Sequence, residues 1–173
     1  MSRPTLLISL ALVATVLCAA VAFTKGPAPS AAGFETVAPG QSRAYLHSFN
    51  VPGHGVAIEG YSPVSYFEGR AELGSALFAV EHRGVTYHLT SADQVDQFKK
   101  SPDRFEPAFG GWCAFGMSVQ DKFPVDPTCF RIVGGRLLLF LRNESIDAGE
   151  LWEQGSEAEL LEKATAHWKK VRG

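Results

Sequence analysis

Residues 6–23 read LLISLALVATVLCAAVAF and carry no charge, directly after a start made positive by Arg3. A run of this kind has no place in the shell of a water-soluble domain, so it divides the chain into an export segment and a folding remainder. A cleaved signal peptide has an apolar stretch of roughly 7–15 residues and a bilayer span about 17–25, and the run falls between the two readings. Ala20-Val21-Ala22 offers a small-x-small site for cleavage before Phe23; retention as an N-terminal membrane anchor is the alternative. Either way the remainder is expected outside the cytoplasm, periplasmic or secreted. Cys18 follows the bulky Leu17, which argues against lipidation, and a thiol within an apolar run is more simply a small hydrophobe.

Residues 24–40, TKGPAPSAAGFETVAPG, are rich in Pro, Ala, Ser and Gly and poor in packing residues. They read as a linker. The expected organisation is therefore an export segment over 1–23, a flexible linker over 24–42 and one domain over 43–173. With 46% hydrophobic and 20% charged residues, disorder and collagen-like repetition are excluded. The 16 Lys+Arg against 18 Asp+Glu form no basic block, so a nucleic-acid partner is not expected. Twelve Phe, 4 Tyr and 3 Trp supply enough ring surface for a real core.

Pattern and punctuation predict an α+β domain, a small mostly antiparallel sheet of two hairpins packed by several helices. Val56-Ala57-Ile58 reads as a short strand, and Pro63 as the first position of a helical turn through Val64, Tyr66 and Phe67. Leu77–His82 and Val85–Thr90 flank Arg83-Gly84, a two-residue connection in which Arg must accept a positive φ. That register places Phe78, Val80 and His82 on one face with Val85, Tyr87 and Leu89, making Tyr87 core and turning His88 away. Ser91 and Gln94 have the form of a capping box for a helix ending before Pro102, and Pro102 begins a further helical turn. Cys129–Val133 and Arg136–Leu141 flank Gly134-Gly135, which suits a primed turn, and Leu137–Leu141 is continuously apolar, as in a strand buried on both faces. Ser156 and Glu159 repeat the capping pattern before a last helix carrying Leu160, Leu161, Ala164, Trp168 and Val171 on one side. Trp168 is expected to pack against the sheet.

Four segments, GVAIEGYSPVSYFEG at 55–69, VTYHLTSADQVDQFKKSPDRFEPAFGGWCAFGM at 85–117, VDP at 125–127, and the late Trp152 and Trp168, together resemble the YHS-domain family. The form resembled is the exported one built around a Gly-Gly-aromatic-Cys-Ala-aromatic-Gly motif. Tyr87, His88 and Ser91 stand at the positions that give that family its name, and Gly110–Gly116 at its second signature. The resemblance spans almost all of the chain beyond the export segment. Related modules occur in copper-transport ATPases and heavy-metal proteins, which implies soft-metal binding. Metal-associated relatives place cysteines just after the Tyr-His pair and again a few residues on; here Thr90 stands at the first such place, and no cysteine lies between Ser91 and Phe109.

Cys113 then carries what remains of a metal reading. With Met117 four residues on it forms a thiolate–thioether pair of the kind that favours a copper ion as Cu(I), and His88, or His82, is the nitrogen donor that the fold would bring in. The predicted metal set is Cys113, Met117 and His88. No C-x2-C, H-x3-H or HExxH spacing supports it, and the opposing reading makes Cys113 a buried small hydrophobe with Met117 filling the core. A third reading joins Cys113 to Cys129, closing a loop of about 16 residues worth roughly 3 kcal/mol in the chain-entropy model. As an enzyme, Cys113 would be nucleophile and His88 base, yet no orienting Asp or Asn pattern or cofactor fingerprint names a reaction. A module binding a membrane-associated protein partner, with Cys113 purely structural, is the alternative to metal binding.

The other chemistry-bearing residues have quieter readings. Gly110, Gly111 and Gly116 allow positive φ or close approach, and no Gly-Lys-Ser/Thr ending makes them a phosphate cradle. Asp126 before Pro127 reads as a turn acceptor. His47 and His54 are loop histidines, solvated or additional ligands, and His167 suits a helix C-terminus.

Overall fold

The computed structural model describes residues 48–51 and 55–172. The expected export segment over 1–23, the linker over 24–42, and His47 and His54 lie outside the described residues. Among the described residues no helix is long and apolar enough to cross a membrane.

The domain is α+β. In chain order it runs β1 (Ser75–His82), β2 (Val85–Leu89), α1 (Ala92–Lys100), α2 (Pro102–Phe105), α3 (Ala114–Ser118), β3 (Asp126–Val133), β4 (Arg136–Phe140), α4 (Ala148–Gln154) and α5 (Glu157–Arg172). The two hairpins form two separate antiparallel sheets, β1 with β2 and β3 with β4, rather than one. Both turns are of the primed kind. Arg83 and Gly84 have φ of 51° and 79°, and Gly134 and Gly135 have 56° and 76°, the twist that lets two right-twisted strands meet over two residues. His82 pairs with Val85 and Val80 with Tyr87, as the alternation requires; Val85, Tyr87 and Leu89 are fully buried and His88 is half-buried. The register then slips between Ser75 and Ala79, so Phe78 does not face Leu89 as expected.

β4 is the buried strand that its apolar run predicts. Leu137, Leu138, Leu139 and Phe140 have no exposed surface, because β3 covers one edge while Pro107 and Cys113 make single bridges to Leu137 and Leu139 on the other. The segment 107–113 thus stands in for a further strand.

One further expectation is corrected. Val56 makes only a single bridge, to Thr86, and Ala57–Gly60 is a 3-10 turn instead of a strand. Ile58 and Glu59 take left-handed conformations there, φ 52° and 51°, which buries Ile58 against the core at the expense of backbone strain. α5 lies chiefly on α3, and Trp168 sits edge-on to Phe49 at 6.0 Å and against Gly110.

The α1 cap is only half of a capping box. Ser91 Oγ accepts the Gln94 amide at 3.3 Å, but the Gln94 side chain turns inward: its Oε1 accepts from Thr90 N–H at 3.1 Å and from Ser62 Oγ at 2.6 Å. Ser62, Ser65 and Gln94 form a buried polar knot that ties the 3-10 turn Ser65–Glu68 to α1. Tyr66 ties the same turn to β3, its hydroxyl donating to Pro127 O at 2.8 Å. Burial above all, with Tyr61, Asp126 and Glu59 nearby, pushes that phenol far up, so it remains a neutral donor.

Candidate functional site

Cys113 is the N-cap of the short helix α3. Its Sγ accepts the Gly116 amide at 3.4 Å, its amide donates to Phe123 O at 3.1 Å, and its carbonyl accepts from Met117 N–H at 2.9 Å. Neither Cys113 nor Met117 has exposed surface. The glycines around them serve close packing. A Cβ on Gly116 would stand 2.8 Å from the Phe123 ring, and one on Gly110 2.7 Å from Trp168 Cη2. Trp112 lies over the same segment, its indole N–H donating to Ser48 O at 2.7 Å. Asn50 completes the stitching through its amide to Gly110 O and its Nδ2 to Gly111 O.

Of the three residues expected to share a metal, Cys113 and Met117 stand one helical turn apart, and His88 is on β2. The imidazole of His88 lies against Gly60, its Nδ1 3.4 Å from where a Cβ would stand, and its backbone is crossed closely by Gly74. Among the described residues no hydrogen bond joins His88 to Cys113. Cys113 and Cys129 are both free thiols. The Cys129 thiol points at Asp147 Oδ1, 3.7 Å away, and burial together with that carboxylate pushes it up, which makes it a poor nucleophile at neutral pH. Asp126 is the turn acceptor expected, taking the Thr128 amide and hydroxyl on Oδ1 and Arg142 on Oδ2.

A second locus appears where distant parts of the chain converge. Both hairpin turns, the 3-10 turn Ala108–Gly111 and the end of α5 border an open groove of about 380 Å³, within the range of small-molecule sites. Among the described residues four arginines line it, Arg83, Arg104, Arg136 and Arg172, together with two acids, Asp103 and Glu106. Arg83 spans both carboxylates, at 3.0 Å from Asp103 and 3.4 Å from Glu106. His82 Nε2 stands behind the pair, 3.7 and 3.6 Å from the same two groups, so these three residues are close enough to share a cation. Arg83 already occupies both acids. Arg104 lies over the rings of Phe67 and Phe105, and Arg136 over that of Phe109 at 5.2 Å. Phe109 itself is held left-handed, φ 57°, immediately before Gly110 at 62°, the kind of stored strain that collects at functional sites.

Sequence reading assigned Arg83 to a turn and Arg136 to a strand start, and it singled out neither Arg104 nor Arg172. The available local signal was an arginine next to each glycine turn; nothing in the spacing shows that the two turns meet. Scans against protein-family models, curated proteins and solved structures return no match for this chain.

Proposed function

We propose that the chain is a non-catalytic binding module of YHS type, exported and either released or held at the membrane by its N-terminal segment, in which Cys113 is structural. The full burial of Cys113, with its sulfur engaged in capping α3, is the observation that carries this reading. A metal-ligating thiolate must be deprotonated and reachable. Here the sulfur accepts a backbone N–H, Met117 is equally enclosed, and His88 lies on the other hairpin with its imidazole against Gly60. The pairing of Cys113 with Met117 on one helical turn is what favours the competing reading, capture of Cu(I), and the two are separable by experiment.

The test is a Cu(I) competition titration of the full-length chain against a chelator of micromolar affinity, beside Cys113→Ser. Wild type and variant are expected to be alike in withdrawing no copper, while Cys113→Ser lowers the unfolding free energy by about 1–3 kcal/mol, because a hydroxyl replaces an apolar thiol in a sealed site. Stoichiometric withdrawal by the wild type that Cys113→Ser abolishes would establish the soft-metal reading in its place.

A further inference from the structure

We infer that the groove between the two hairpin turns and the end of α5 binds a small organic polyanion, of the class carrying two or more carboxylates. The inference is independent of Cys113 and of the family resemblance. Its first support is charge. Among the described residues four arginines and two acids line the groove, an excess of two positive charges in a chain whose formal charge is −2. Asp103 and Glu106 are engaged by Arg83, whereas among the described residues Arg104, Arg136 and Arg172 make no ion pair. The positive excess therefore rests on Arg104, Arg136 and Arg172.

Geometry narrows the ligand. Arg104 and Arg136 lie with their guanidinium carbons over aromatic rings, 5.3 Å from Phe105 and 5.2 Å from Phe109. A guanidinium held beside a ring has fewer orientations to give up on binding, and its planar fork of N–H donors is the means by which an arginine meets an acceptor. Such a fork suits a planar two-oxygen group, which is what a carboxylate presents. The free arginines come from three separate elements, α2, the start of β4 and the end of α5, around about 380 Å³ of space. Three arginines from separate elements around a space of this size are matched by more than one anionic group on one organic frame, rather than by one compact ion. Arg172 with Lys169 and Lys170 also offsets the negative end of the α5 dipole, which would otherwise repel an anion there.

Calorimetric titration of the full-length chain at low salt tests this with citrate, acetate and inorganic phosphate as probes. Citrate is expected to bind saturably, at least about tenfold tighter than acetate or phosphate. Removing a guanidinium with Arg136→Gln or Arg172→Gln should weaken citrate by about tenfold or more, the worth of one charge-assisted hydrogen bond. Arg136→Lys keeps the charge and removes the fork, and should also weaken it, while Lys99→Gln on α1 changes net charge equally and should leave it unaltered. The Arg136→Lys arm also covers the case in which a neutral variant fails to fold. No saturation by citrate at about 10 mM, a level at which even a weak site of millimolar affinity fills, overturns the inference; so does phosphate binding as tightly as citrate, or equal loss in Lys99→Gln.

Discussion

Gly110 meets two demands at once, a left-handed φ of 62° and the approach of Trp168 to where a side chain would begin. Gly134 has nearly the same φ, 56°, and open space around it. The pair therefore separates backbone strain from contact. Gly134→Ala is expected to cost about 1–2 kcal/mol, the left-handed penalty alone; Gly110→Ala should cost about 1–3 kcal/mol more, because Trp168 or the turn must give way. Urea midpoints measure both, and equal losses would show that the tryptophan does not bear on Gly110. Cys113, Trp112 and Gly116 follow the same logic: their side chains, or the absence of one, hold backbone segments together. This is why a motif rich in glycine and rings around a cysteine, read alone, admits both a ligand site and a packing knot.

At the level of elements, β3 and the chain leaving β4 are clamped by one carboxylate. Asp126 accepts from Thr128 on one oxygen and from Arg142 on the other, at 2.9–3.0 Å. Burial draws its pKa up, but the Thr128 hydroxyl and amide and the Arg142 guanidinium outweigh that and hold it below the usual carboxylate value. A carboxyl whose folded pKa is depressed stabilises the fold above its unfolded value, about 3.9, and this contribution is lost as pH falls through the lower folded value. The stability gap between wild type and Asp126→Asn should thus be constant above about pH 5 and close as the pH drops below about 4. A gap that persists unchanged to pH 2 would place the clamp's strength elsewhere. Both hairpins and the helices α1, α2 and α5 were legible because their signals are local, Gly-Gly, Arg-Gly, a proline, a serine cap, whereas α3 and α4 were not foreseen. The strand expected at Val56-Ala57-Ile58 was misread because a β-branched residue argues for extension, and only tertiary burial of Ile58 makes a left-handed turn tolerable there.

For the molecule as a whole, what sequence could not reach is the meeting of distant segments. Arg83, Arg104, Arg136 and Arg172 belong to four elements or turns, and no period or spacing relates them; the groove exists only because α5 lies on α3 and brings its last turn beside both hairpin ends. The same long-range closure draws in the first described residues. Residues 48–51 belong to it: Trp112 and Asn50 bond across to Ser48, Gly110 and Gly111, and Phe49 is 7% exposed with its ring edge-on to Trp168. Phe49 is thus both a core residue and a wall of the groove. Phe49→Ala should lower the unfolding free energy by about 3–5 kcal/mol, as for other buried phenylalanines. It should also shift tryptophan emission to the red, since Trp168 loses the ring that shields it from the groove. If Phe49 were a mere surface tether, stability would fall by less than about 0.5 kcal/mol and the emission would stay where it is. The combination of a large loss with a red shift separates closure through Phe49 from ordinary cavity formation, because a cavity sealed from the groove would leave the indole dry.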